Sequence, residues 1–156
     1  MFLHFRDRKL IAAIHAYQRH RSDRRLPGRL LCFWAKLRHA FWSMVTGSDI
    51  HRDATIAASV SFPHLTGVVI HQDAVIEEDC MIMQQVTIGQ TSSSGAPTVA
   101  NGAYVGAGAK VLGRVRIGRK ARVGANAVVL QDVPDNATAV GVPARIIART
   151  MSPSDV

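Results

Sequence analysis

Residues 99–133, VANGAYVGAGAKVLGRVRIGRKARVGANAVVLQDV, return an aliphatic residue every six positions: Val99, Val105, Val111, Ile117, Val123 and Val129. Four places after each stands a small residue: Ala103, Ala109, Val115, Ala121, Ala127 and Val133. An amphipathic helix brings its apolar residues back at three and four, so it cannot make this pattern. Short β segments that each turn a corner can, because the anchor fills a narrow interior and a bulky residue at the small position would collide with it. Towards the N-terminus the stride continues through Ile70, Ile76, Ile82 and Ile88 and, before those, through Ile50, Ile56 and Phe62. Their small partners are Ala74, Cys80, Val86 and Ser92, and Ala54, Val60 and Thr66. Thirteen anchors therefore hold one stride with two breaks, which predicts an all-β solenoid of hexapeptide rungs. Each rung buries little by itself, so stacking makes the core.

The chain has 156 residues and is 47% apolar, which gives room for one packed domain and a modest appendage. It divides into a basic amphipathic helical segment (1–47), the repeat domain (48–147) and a C-terminal tail (148–156). The formal net charge of +8 belongs to the first of these, since residues 1–47 hold 10 Lys/Arg against 2 Asp/Glu and the remainder 9 against 9. Cys32 and Cys80 lie in unrelated settings and suggest neither a disulfide framework nor a metal site. The N-terminus lacks the apolar run and cleavage site of a signal peptide, and no stretch of about 18 apolar residues exists. Cytoplasmic residence is the expectation, with the inner membrane face as a place of contact.

Two helices are predicted in the basic segment. The first, roughly residues 7–20, sets Leu10, Ile11, Ile14 and Tyr17 on one side, and a connection over Ser22 to Gly28 follows. The second, from about Pro27 to Val45, spaces Leu30, Leu31, Trp34, Leu37, Phe41 and Met44 at three and four, with Arg29, Lys36, His39 and Ser43 on the other face. Two partners fit that apolar face. It can cover the open first rung of the solenoid or a neighbouring subunit, because solenoid ends need a cap. It can also attach residues 1–45 to an anionic membrane, with Trp34 and Trp42 at the interface. Nucleic acid is not an expected partner, since no recognised binding motif accompanies the charge.

Function in repeat proteins collects where the stride is interrupted. The first break is Phe62-Pro63-His64-Leu65-Thr66-Gly67, and the second is Gln90-Thr91-Ser92-Ser93-Ser94-Gly95-Ala96-Pro97. One carries a histidine and the other a polar loop.

Asp49-Ile50-His51, His64-Leu65-Thr66-Gly67-Val68-Val69-Ile70 and Gln84-Gln85-Val86-Thr87-Ile88-Gly89 together resemble the serine acetyltransferase family. Val105-Gly106-Ala107-Gly108-Ala109-Lys110-Val111-Leu112-Gly113 and Gly141-Val142-Pro143-Ala144-Arg145 are similar to that family's last coils and closing turn. The resemblance covers residues 48–147 and implies a left-handed parallel β-helix, a homotrimer, and transfer of acetyl from acetyl-CoA to a hydroxyl. It implies His64 as general base and Asp49 as the carboxylate that orients it. A hydroxyl is a poor nucleophile until a positioned base removes its proton, and a histidine side chain titrates in the range that suits this task. A carboxylate on the other ring nitrogen fixes the tautomer and stabilises the imidazolium. His51 and His71 each follow an anchor, where side chains point outward, and read as surface histidines.

The departures from the family bear on the acceptor. Pro63 stands where the family has an aspartate, Gly95 and Ala96 stand where it has an Arg-His pair, and a short basic segment replaces its long helical domain. A site without charge partners would bind a free amino acid poorly, because ammonium and carboxylate would lose hydration without replacement. The expected acceptor is therefore a sugar hydroxyl, as in the branch of similar proteins that acetylates surface polysaccharides or their precursors, with serine as the alternative. Thr66, Gln84, Gln85 and Thr91 are the candidate hydrogen-bonding residues for it.

For the donor, the resemblance implies that Gly89, Ala107 and Ala125 line the pantetheine arm, with Arg122 nearby and Lys120 and Arg145 as phosphate contacts. No metal is expected. His51, His64 and His71 are spaced by 13 and 7, without the His-x4-His pair of the γ-class carbonic anhydrases that share such repeats. A non-catalytic scaffold is the remaining alternative.

Overall fold

The structure, a computed structural model, describes residues 4–91 and 95–147; for residues 4–7 it describes the backbone only. The predicted tail (148–156) and Ser92 to Ser94 of the second break, including the small position at Ser92, lie outside the described residues.

Fourteen short strands wind into three sheets among the described residues. Sheet A stacks β1 (Asp49–Ile50), β3 (Val69–Ile70), β6 (Thr87–Gly89), β9 (Lys110–Leu112) and β12 (Val128–Val129). Sheet B stacks β2 (Thr55–Ile56), β4 (Val75–Ile76), β7 (Thr98–Val99) and β10 (Arg116–Ile117). Sheet C stacks β5 (Met81–Ile82), β8 (Tyr104–Val105), β11 (Arg122–Val123), β13 (Thr138–Val140) and β14 (Arg145–Ile147). All pairings are parallel except that of β14, which folds back antiparallel on β13 and closes the stack. This is the parallel β-solenoid expected from the stride. Unbroken coils are eighteen residues long, three hexads, as in the pairs Ile70 with Ile88 and Val111 with Val129.

Within each two-residue strand the anchor points inward and its predecessor outward, the alternation that a strand imposes. All thirteen anchors are buried. The small partners are buried too, apart from Ser92, which is outside the description, and Thr66, which is exposed. Thr66 fails because the first break adds two residues to its coil, and Val68, fully buried, takes the interior place instead.

The N-terminal segment forms α1 (His4–His20) and α2 (Leu26–Thr46), close to the expected bounds. The two helices divide duties that the sequence left open. α1, not α2, covers the first rung: Leu10, Ile11 and Ile14 join Ile50, Ala54 and Ile56 in one core, and each full burial is worth about 1.5–3 kcal/mol. Polar groups fasten α1 to the coil, with His15 Nε2 2.8 Å from the Ile56 carbonyl and the Gln18 amide donating to the Arg52 and Ala54 carbonyls. α2 packs through its small residues, burying Gly28, Ala35 and Thr46, and of the face expected to be polar His39 turns inward, its Nε2 2.8 Å from the Ile50 carbonyl, while Arg29 and Lys36 stay exposed. Its apolar face, for which the first rung, a neighbouring subunit and a membrane were the expected partners, does not cover the rung and is exposed in the single chain. α1 already fills the rung, so the large apolar residues of α2 find no place in it.

Candidate functional site

The first break lies at the corner between sheets C and A, after the bridge of Ser61 with Met81 and before β3. Leu65 and Val68 turn into the core, which leaves His64, Thr66 and Gly67 on the surface. Backbone bonds pin this loop to the coils on both sides. Gly67 N–H donates to the Gly47 carbonyl at 2.8 Å, Asp49 N–H to the Val68 carbonyl at 2.8 Å, and Gln85 N–H to the Thr66 carbonyl at 2.9 Å. A column of left-handed residues runs up the same corner: Gly47 (φ 62°), Gly67 (φ 70°), Gln85 (φ 58°), Gly108 (φ 72°) and Asn126 (φ 57°). Gln85 is the unusual member, because a long side chain rarely occupies that region. Its carbonyl accepts a hydrogen bond from Lys110 Nζ at 2.9 Å. The neighbouring Gln84 holds its amide Oε1 buried with no hydrogen-bond partner among the described residues. Such an acceptor is costly to leave unpaired and fits a donor brought by a ligand.

Asp49 opens β1 on this corner, exposed and in register with Val69. Its carboxylate and the His64 ring make no hydrogen bond or ion pair with each other, and neither side chain has a partner among the described residues. Ala107 and Ala125 occupy the next coils of the corner, joined by the bond from Asn126 N–H to the Ala107 carbonyl at 2.8 Å. Arg122 stands on the adjoining outer face of sheet C, its guanidinium 4.7 Å from the centre of the Tyr104 ring, a cation–π contact. Arg145 begins β14 at the edge of the same sheet.

The remaining candidates lie elsewhere. Gly89 precedes the second break and Thr91 lies within it, at the corner between sheets A and B, on the opposite edge of sheet A from His64. There the Thr91 hydroxyl lies so near Gly113 that a Cβ on that glycine would stand 3.1 Å from it. Gly95 (φ 86°) rests on the aliphatic stem of Arg114, where a Cβ would come within 2.9 Å. Lys120 occupies the third corner, between sheets B and C, with left-handed backbone (φ 53°) and an exposed side chain. One chain thus gathers His64, Asp49, Thr66, Gln84, Gln85, Ala107 and Ala125 at one corner, sets Arg122 and Arg145 beside it, and leaves Gly89, Thr91 and Lys120 apart.

His51 and His71 perform the same local task on successive coils, each Nδ1 accepting the backbone N–H two residues on, from Asp53 and Asp73, at 3.2 Å. They finish turns and stand away from the His64 loop. No group of three or more His, Cys, Asp or Glu side chains among the described residues could hold a metal ion. Two residues escaped the sequence: Lys110, which braces Gln85, and Tyr104, which carries Arg122. These pairs join residues 25 and 18 positions apart and carry no local signal.

Residues 96–131 match the family described as Bacterial transferase hexapeptide (six repeats), so this segment carries the repeats of the hexapeptide transferases. Among solved structures, the chain is similar to a serine acetyltransferase from Brucella abortus strain S19 in complex with coenzyme A, at 36% identity and a TM-score of 0.72. That match covers 88% of this chain and 56% of the other. It is also similar to a Neisseria gonorrhoeae serine acetyltransferase in complex with serine, at 35% identity and a TM-score of 0.74 over 89% of this chain and 55% of that one. The soybean serine acetyltransferase apoenzyme matches at 39% identity and a TM-score of 0.74, covering 87% and 55%. The chain therefore spans a little over half the length of these solved enzymes. A comparison with curated proteins gives no match.

Proposed function

We propose that the chain is an acetyl-CoA-dependent O-acetyltransferase with His64 as its general base. The observation that carries this reading is the corner itself: a stride break presents an exposed, unpartnered histidine at the corner where Asp49 opens β1, in a chain 35% identical to an enzyme solved with serine and 36% identical to one solved with coenzyme A. The acceptor oxygen attacks the thioester carbonyl carbon while His64 takes its proton. The C–S bond then breaks, the coenzyme A sulfur leaves and receives the proton from the imidazolium, and an O-acetyl ester remains. Asp49 orients the ring when substrate closes the site. Gln84 Oε1 accepts a hydrogen bond from the acceptor, with Thr66, Gln85 and Thr91 as further contacts. Ala107, Ala125 and Gly89 flank the pantetheine arm, and Arg122, Lys120 and Arg145 meet phosphates.

Gly89 and Thr91 lie across sheet A from His64, so a site that uses all of them fits a homotrimer in which the His64 corner of one chain faces the second break of the next.

Serine is the acceptor best supported by the similar structures. A neutral sugar hydroxyl is the second reading, favoured by a specific observation: Pro63, Gly95 and Ala96 carry no charge to receive an ammonium or a carboxylate. Thiol release from acetyl-CoA, measured across serine, nucleotide sugars and lipid-linked sugars, decides between them. His64→Ala should lower kcat by about 10²–10⁴-fold with its preferred acceptor. Undiminished turnover by that variant would refute the mechanism, and no release with any acceptor would favour a scaffold.

A further inference from the structure

The structure assigns the outer face of α2 to the surface of an anionic membrane. Gly28, Ala35 and Trp42 recur every seven residues on the side packed against α1 and the first coil. Leu30, Leu37 and Met44 stand two residues further on, about 200° round the helix, and so face directly away from the solenoid. With Phe33, Trp34 and Phe41 they form an apolar strip exposed from 45% at Leu37 to 82% at Met44. An apolar strip of this length is not left to water without a partner.

Charge selects the partner. Arg29 lines one margin of the strip and Arg38 the other, with Lys36 beyond Arg29 and its ammonium 5.8 Å from the centre of the Tyr17 ring of α1; all three are exposed, and α2 contains no Asp or Glu. Arg24 and Arg25 add two further cations at the helix N-terminus, where the macrodipole disfavours them, so they do not serve helix stability. A second copy of the strip would set cation against cation along both margins. An anionic lipid surface meets every one of these groups: aromatic and aliphatic side chains enter the acyl boundary, and the flanking cations reach the headgroups. The helix lies on such a surface, because no helix among the described residues is long and apolar enough to cross a membrane. α1 stays beneath as the solenoid's cap, which leaves the membrane face free of any folding duty. Attachment through α2 does not depend on acetyl transfer at the His64 corner.

Flotation of the full chain tests it, with phosphatidylcholine vesicles prepared with and without phosphatidylglycerol, at low and high salt. Wild type should float with the anionic vesicles only, and less at high salt. The double variant Leu37→Asp/Phe41→Asp should lose at least tenfold in bound fraction while melting at the wild-type temperature, because both residues are exposed. Arg29→Gln/Lys36→Gln/Arg38→Gln should bind more weakly by about fivefold per cation, roughly a hundredfold together. No flotation of wild type, or equal flotation of all three proteins, overturns the assignment. So does a wild-type particle mass by light scattering that falls in the double variant without any vesicle binding, which would make the strip a contact between copies.

Discussion

Gly106→Ala isolates the force that spaces the rungs. Gly106 follows the anchor Val105, is buried, and donates its N–H to the Val123 carbonyl of the next coil at 2.8 Å. Its φ is not left-handed, so alanine meets no local conformational objection. A Cβ would stand 2.7 Å from Ala125 N, 2.8 Å from Val123 O and 2.9 Å from the Gly124 carbonyl carbon, against backbone that cannot swing aside. Forcing two coils apart in this way costs about 1–3 kcal/mol. Stiffening the unfolded chain returns about 0.4–1 kcal/mol. The net loss is about 0–2.6 kcal/mol, and its midpoint of about 1.3 kcal/mol is a fall in Tm of about 3–5 °C for a chain of this size. Gly89 provides the control, since it also follows an anchor, yet its Cβ would meet only Thr87 Cγ2 at 3.5 Å and Leu112 Cδ2 at 3.6 Å. Gly89→Ala should match or exceed the wild-type Tm. Thermal and urea melts followed by circular dichroism report both, and a Gly106→Ala protein as stable as wild type, or a Gly89→Ala protein equally weakened, refutes the rung-contact argument.

Three further outcomes follow from the fold. Ile14→Ala should cost about 2–5 kcal/mol in urea unfolding, because Ile14 is fully buried between α1 and the first coil; a loss under 1 kcal/mol, by about the same scale, would mean that α1 is not the cap. Burial pushes the Cys80 thiol pKa up, so at mildly alkaline pH it holds less thiolate than an ordinary cysteine, and native protein treated with iodoacetamide should carry one adduct, on Cys32. Two adducts before unfolding would contradict that packing. The Arg119 N–H, 2.7 Å from Asp135, and its side chain hold the Asp135 carboxyl below the usual carboxylate range. A lowered folded-state pKa stabilises above the unfolded value and is lost as pH falls through the folded one, so the small Tm deficit of Asp135→Ala at neutral pH should shrink on acidification. A deficit that grows on acidification would reverse the sign of this linkage.

Much of this was legible in the sequence because a hexad is a local code. The anchor must be large and its partner small wherever the coil turns, so the thirteen anchors named the interior before any contact was known. The breaks were legible for the same reason, and with them His64, but Thr66 was misplaced. A two-residue insertion is visible as a phase change, whereas which residue then turns inward depends on how the loop closes over Gly47 and under Gln85.

The sequence by itself thus determined the solenoid, its two interruptions, the polar residues gathered at them and the two amphipathic helices. Tertiary structure alone decided that His64 shares a corner with Gln84, Ala107 and Ala125 while Thr91 and Gly89 sit across sheet A, because corners are set by coil closure and not by separation along the chain. It also decided the division of labour between the helices. Both carry an apolar stripe, and periodicity cannot tell which one covers the first rung. The narrow stripe of Leu10, Ile11 and Ile14 fits the coil interior, and α2 lies behind it with Ala35 buried. The broader stripe of α2 is thereby turned outward, towards a partner that the sequence alone could only offer as one choice of two.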